Sequence, residues 1–190
     1  MKKSTVLKGL GTIVLVALLG AAIVAILAAQ SYEDCVSRLI KSAPPTDAQP
    51  PAAFQRLSRI FWGHRDLGLA RILEQECTSD EHGVLHRLGG RTFALGVVKG
   101  LLGWPERLAL SSIFLPAHDG RGLTHSAHME WGRPPASLNE LEMTWLFVVG
   151  QEPGCSKRRP GSESDRQACA TLYQGRLDQL ARSRSSTPGT

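Results

Sequence analysis

The chain has 190 residues, 42% of them hydrophobic and 21% charged, with a formal net charge of +5. That composition fits one globular domain with short additions and excludes a disordered or fibrous chain. Much of the basic charge lies at Lys157, Arg158, Arg159, Arg176, Arg182 and Arg184. No aromatic interleaving or nucleic-acid motif accompanies it, so nucleic acid is not the expected partner; next to a membrane face such a surface would meet anionic headgroups.

Gly9 to Ala29 carries no charge and consists largely of Leu, Val, Ile and Ala. As a helix rising about 1.5 Å per residue, it is long enough to cross a hydrocarbon layer of about 30 Å. Lys2, Lys3 and Lys8 precede this run, which predicts a cytoplasmic N-terminus and a single-pass chain with its C-terminal part exported. Leu27-Ala28-Ala29 offers a cleavage site for the competing reading, a signal peptide. The run is longer than a usual signal core, so residues 1–30 are expected to stay as a cytoplasmic N-terminus and anchor. Cys35 follows Tyr-Glu-Asp, which lacks the small apolar residues of a lipoprotein signal.

Ser31 to Lys41 reads as a short helix capped by Ser31, with Glu33 and Asp34 in a first turn where the helix dipole favours acids. Ser42 to Pro51 contains Pro44, Pro45, Pro50 and Pro51, so residues 31–52 are expected to form a linker outside the core. From Ala52 to Glu76 the residues Phe54, Leu57, Ile60, Phe61, Leu67, Leu69, Ile72 and Leu73 mostly recur every three or four positions. That spacing predicts an amphipathic helix, interrupted near Gly63 and Gly68. Val97 to Leu102 predicts a further helix, stopped by Pro105. Ser137 with Glu140 three residues on reads as a capping box opening the apolar run Leu141 to Val149. Gly154 to Arg166 reads as a polar loop. Gln167 to Arg182 reads as a closing helix with Ala168, Leu172, Leu177 and Leu180 inward, and residues 183–190 as a disordered tail.

Cys35, Cys77, Cys155 and Cys169 show no C-x-x-C pairing and no histidine at metal-ligand spacing. In an exported domain an even count favours disulfides over free thiols. Four cysteines allow three pairings; Cys155 with Cys169 is the most local, and its removal costs on the order of 3 kcal/mol. His118, His125 and His128 lie near Asp119, a combination open to a metal site or to packed helix histidines. The second is the expectation, with no metal centre.

Gly89 to Arg107, GGRTFALGVVKGLLGWPER, is the most specific stretch. The Gly89-Gly90 pair gives backbone freedom for a turn or a close ligand, and Thr92 can hold a turn or cap the segment after it. Lys99 inside an apolar run is either a substrate-facing cation or a lysine snorkelling from a helix face. In register, the stretch resembles the signature of the family 51 glycosyltransferases, the bacterial peptidoglycan transglycosylases. Their motif runs Gly-Gly-Ser-Thr-Ile-Thr-Gln-Gln, an apolar pair, Lys-Asn-Leu and, a few residues on, Pro-Glu-Arg. Gly89, Gly90, Thr92, Lys99, Leu101, Pro105, Glu106 and Arg107 match without a gap. Phe61-Trp62-Gly63-His64 looks like the end of the family's first motif, Glu-Asp-x-x-Phe-x-x-His. Gly120, Gly122, Ala127, Trp131, Gly132, Pro134, Leu138, Glu140, Leu141, Leu146 and Pro153 fall into the pattern of a later segment.

The resemblance covers roughly Phe54 to Leu180. It implies a mainly α-helical chain: a transmembrane helix, then a lysozyme-like, transglycosylase-type domain over residues 53–182. It also implies a lipid-linked peptidoglycan precursor or glycan strand as ligand, bound by Gly89, Gly90, Thr92, Lys99, Arg107 and His64, with Lys99 and Arg107 on phosphate. No cofactor is implied beyond a divalent metal accompanying the pyrophosphate.

The departures from the family pattern fall on the chemistry. Polymerisation needs a carboxylate to take a proton from the acceptor sugar, while cations or a metal steady the leaving pyrophosphate. In this register the family's glutamate and aspartate are Leu57 and Ser58, its first serine is Arg91, and its Gln-Gln pair is Leu95-Gly96. The helix bearing its second glutamate has no counterpart within Leu108 to Asp119, and Glu33-Asp34 is an acidic pair without the Phe and His. The expectation is an inner-membrane, periplasm-facing protein of cell-wall synthesis with reduced or lost polymerase activity and no assigned catalytic residue. The alternatives are a non-catalytic scaffold or binding module for a cell-wall synthase or glycan strand, and a cysteine-stapled module unrelated to the family.

Overall fold

In the computed structural model, which describes residues 3–62, 66–77, 90–117, 119–156 and 162–185, helix α1 runs unbroken from Lys3 to Ser42. Its Leu15–Ser42 part contains a window with a mean hydropathy of 2.1, only 11% of it buried, so the helix is long and apolar enough to cross a membrane. From Ala28 onward the same helix enters the protein body. Ala28, Tyr32, Cys35 and Val36, spaced by three or four and sometimes adjacent, form one buried stripe. Ser31 is therefore not a cap; its hydroxyl donates back to the Leu27 carbonyl at 3.0 Å, as serines inside helices do.

The chain continues with α2 (Pro45–Ala48), α3 (Ala52–Trp62), α4 (Asp66–Cys77), α5 (Gly90–Gly100) and α6 (Trp104–Ile113). A minimal antiparallel hairpin follows, β1 (Pro116–Ala117) with β2 (Gly120–Arg121), pairing Pro116 with Arg121 and Ala117 with Gly120. Then come α7 (Leu123–Trp131), α8 (Glu140–Gln151) and α9 (Glu163–Ser185). The fold is mainly α-helical. Gly68 does not interrupt α4, and Gly63 lies outside the described residues.

Two apolar cores share α6. On the anchor side, Tyr32 and Val36 of α1 pack with Leu69, Ala70 and Leu73 of α4, Ala94, Val97 and Val98 of α5, and Leu110 and Phe114. On the far side, Phe54, Leu57 and Phe61 of α3 pack with Leu108, Leu123, Ala127, Met143, Leu146, Phe147 and Leu180. Phe147 stacks on Phe54 at 5.0 Å and meets Phe61 and Trp62 edge-on at 5.3 and 4.6 Å. These tilted and offset contacts suit the quadrupoles of the rings.

The expected linker over residues 31–52 is part of the body. Asp47 of α2 is only 3% exposed. Its Oδ1 accepts from the backbone N–H of Thr124 at 2.7 Å and from the Thr124 hydroxyl at 2.6 Å. Asp47 thus supplies, from far away in the chain, the N-terminal cap that Gly122 lacks a side chain to give α7. Gly122 has φ 109°, and a Cβ there would lie 2.6 Å from Asp47 Oδ2, so the close approach needs glycine.

Two further boundaries differ from the sequence reading. The capping box of α8 is Asn139 with Glu142, whose reciprocal bonds measure 3.0 and 2.9 Å; the Ser137 hydroxyl instead donates to Pro134 O. Starting the helix there buries Leu138 just before it and turns Met143, Leu146 and Phe147 inward. Helix α9 begins at Glu163, and of its expected inward residues Ala168 is exposed while Cys169 is buried. It continues through Arg184 to Ser185, so Ser183, Arg184 and Ser185 are helical and not tail.

Two disulfides fasten this arrangement. Cys155 joins Cys169, and Cys35 of α1 joins Cys77 at the end of α4 across 42 residues. The long loop makes the second the stronger entropic constraint on the unfolded chain, about 4 kcal/mol against about 3 kcal/mol. Replacing Cys35 and Cys77 together by serine is expected to lower unfolding stability by about 4 kcal/mol in denaturant titration. Asp47→Ala is expected to cost about 1 to 2 kcal/mol, read as a lower melting temperature, because α7 loses its cap.

Candidate functional site

Gly90 opens α5, while Gly89 and His64 lie outside the described residues. Thr92 falls inside the first turn of the helix and caps nothing. Thr92 and Lys99, seven residues apart, share the exposed side of α5, opposite the buried Ala94, Val97 and Val98. Lys99 is therefore an exposed lysine on a helix whose other side is core. The helix ends at Gly100, short of Pro105, and the Leu101 and Leu102 N–H groups close on the Val97 carbonyl at 2.9 and 3.1 Å. Pro105 sits in the first turn of α6, where its missing N–H leaves no helical bond unmade.

Arg107 has a structural task. Its Nε donates to Leu102 O at 3.0 Å, one terminal nitrogen to Lys99 O at 3.2 Å, and the other to Asp66 Oδ1 at 3.1 Å. The guanidinium thereby satisfies carbonyls that the end of α5 leaves open and ties that end to the start of α4. Lys99 and Arg107 are thus neighbours through the Lys99 backbone, and Arg107 turns its charge toward its own fold. Asp66 was not singled out by the sequence reading; the structure places it in the first turn of α4, with its partner 41 residues away.

Around this ion pair, Ser58, Trp62, Asp66, Trp104, Arg107 and Ser111 line a narrow cleft with a cavity volume of about 30 Å³. The Arg59 guanidinium lies 5.4 Å from the Trp104 ring centre, within cation–π range. Ser58 is 2% exposed, and among the described residues its hydroxyl has no hydrogen-bond partner. Leu57 is fully buried among the aromatic residues of the far core. A carboxylate at either position of this frame would enter the interior, where an unpaired charge is costly.

Larger concave surfaces lie elsewhere. A groove of about 830 Å³ between α3 and α9 carries Arg56, Arg59 and Arg184 over an apolar floor of Ala52, Ala53, Ile60 and Leu180. Glu140 sits among these cations, ion-paired to both Arg56 and Arg184. A second cleft, of about 490 Å³, is walled by Leu39, Phe114, Asp47, Thr124, His125 and His128. There His125 Nε2 lies 2.8 Å from Asp119 Oδ1. His118 is outside the described residues, and among those described no group of three or more His, Cys, Asp or Glu side chains is placed to hold a metal ion.

The arrangement at Arg107 makes a paired prediction. Arg107→Ala is expected to destabilise the protein by about 2 to 3 kcal/mol, since it strips a charge-assisted bond from Asp66 and the donors from two carbonyls. Ser58→Ala is expected to leave stability unchanged or raised, because it removes a buried hydroxyl that has no partner. Chemical denaturation of both variants checks the pair.

No protein-family model, curated protein or solved structure matches the chain.

Proposed function

We propose that the chain is a single-pass inner-membrane protein of cell-wall synthesis. Its periplasm-facing helical domain, of the lysozyme-like transglycosylase kind, binds a lipid-linked disaccharide pyrophosphate without polymerising it. The position of α5 carries this reading. One flank of the helix faces Ala25 and Ala29 of α1 across a crevice that Thr92 helps to line, and Lys99 on the adjoining side is exposed. A lysine at that level meets anionic groups at the lipid surface, and a pyrophosphate carries more negative charge than an ordinary headgroup. The lysines preceding the apolar run support an exported body.

Turnover lacks its proton acceptor in this reading. Leu57 and Ser58 are buried, and Asp66, the carboxylate at the narrow cleft, is already paired with Arg107. A divalent metal, where one takes part, would arrive with the pyrophosphate.

The arginine groove supports a second reading, a non-catalytic scaffold that receives an acidic surface of a cell-wall synthase or a glycan strand. Arg56, Arg59 and Arg184 against the single carboxylate of Glu140 give it a positive balance.

Titrating lipid-linked disaccharide pyrophosphate into the full chain in nanodiscs separates the two. The first reading expects binding, no polymer, and a loss of about tenfold to a hundredfold in affinity for Lys99→Ala, as for one charge-assisted contact. Unchanged binding by Lys99→Ala would remove the pyrophosphate site, and glycan chains made by the wild type would overturn the non-polymerising reading. Recruitment of a synthase that Arg56→Ala and Arg184→Ala abolish, with Lys99→Ala neutral, favours the scaffold.

A further inference from the structure

The body of the protein begins packing before the apolar run has ended. Ala28 is already buried, and Ala25 and Ala29 form one wall of a crevice whose other wall is Phe93, Gly96 and Val97 of α5 with Leu101 just past its end. Counted from Gly9 at 1.5 Å per residue, Ala29 stands about 30 Å up the helix and Ala25 about 24 Å, while the hydrocarbon layer is about 30 Å thick. With α1 spanning the bilayer, the crevice therefore opens at the outer edge of the hydrocarbon and reaches roughly one helical turn below it.

Its chemistry matches that depth. The space is about 470 Å³, and among the described residues Thr92 is its single polar side chain. Leu101 is 49% exposed and Trp104 36% exposed, both just past the end of α5. Tryptophan concentrates at the lipid–water boundary, and a lysine such as Lys99 can lie along apolar surface and lift its ammonium to the headgroups. Between Arg91 and Lys99 the helix carries no charge.

We infer that α5 and the turn through Trp104 lie in the outer-leaflet interface, and that the crevice between α5 and α1 takes one acyl chain of a membrane phospholipid. The occupant is set by continuity: the lipid-facing surface of α1 runs directly into the crevice, with no polar residue of α1 between them. The inference rests on α1 spanning the membrane, and it stands or falls independently of any pyrophosphate at Lys99.

Gly96 gives a clean probe. A Cβ there would meet nothing within 4 Å, and Gly96 lines the open space, so Gly96→Leu directs a side chain into the crevice from an unobstructed position. The full chain is reconstituted in vesicles of phosphatidylethanolamine and phosphatidylglycerol containing a phospholipid with a diazirine partway along one acyl chain. After irradiation, the labelled peptides are mapped by mass spectrometry. The expected result is label on Phe93 to Leu101 as well as on α1, with Gly96→Leu losing most of the α5 label and keeping that on Leu15 to Val24. Label confined to α1 in the wild type, or α5 label unchanged in Gly96→Leu, would overturn the proposal. Displacement of the α5 label by a polyprenyl pyrophosphate but not by added phospholipid would also overturn it, assigning the crevice to a different lipid.

Discussion

One helix carries two kinds of surface. From Leu15 to Leu27 α1 turns apolar side chains outward on every side, and from Ala28 it buries one stripe and leaves the rest exposed or half-buried. Backbone hydrogen bonding inside a single helix is what allows this, because the change of surroundings needs no break in the chain. Everything on the anchor side of the body is arranged against that stripe. Tyr32 meets Phe93 at 5.7 Å, α4 lies along α5, and Cys35 is bonded to Cys77, so α4 is held covalently to the anchor. A polar substitution at Tyr32 or Val36 would act on the core built against α1 and leave the exposed apolar run untouched.

Helix α6 carries this order to the far core. Leu108 faces the aromatic cluster around Phe147, while Leu110 and Phe114 face the core built on α1. Its first turn also holds Arg107, whose three bonds fix where α5 stops and where α4 starts. The motif stretch is thus a junction of the fold as well as the neighbour of the apolar helix α1. That double role explains how an arginine in a sugar-phosphate-like pattern can be spent on backbone carbonyls, leaving exposed Lys99 as the cation that faces outward. Glu130 does comparable work beyond the second core, accepting from the Trp145 indole at 3.0 Å and from the Ser156 hydroxyl beside the Cys155–Cys169 bridge.

What the sequence made legible was local and periodic. The spacing of Phe54, Leu57 and Phe61 marks the buried face of α3, and the uncharged run marks the part of α1 that is long and apolar enough to cross a membrane. What it hid depends on residues far apart in the chain. Nothing near Asp47 announces that it will cap a helix 77 residues later, and a segment with four prolines reads as a linker until that partner is known. Asp66 and Arg107 are hidden from each other in the same way. The box at Asn139 was missed for a different reason: Ser137 with Glu140 and Asn139 with Glu142 are equally good local signals, and burial of Leu138 decides between them. The candidate site was harder still, because a motif reports residue types, and whether a cation faces solvent or its own backbone is settled by tertiary packing.

The absence of a break between span and body has a mechanical consequence. A flexible tether would let the domain sweep a volume and search for partners well above the membrane. Here the connection is a continuous helix pinned at Cys35, and from Ala29 to its end at Ser42 it rises only about 20 Å. The domain is held like a head on a short rigid neck, turning only as the anchor tilts or spins. With α1 placed across a bilayer, as proposed above, the working zone of the domain is a thin layer next to the lipid, and whatever it meets there is brought by diffusion in the plane of the membrane.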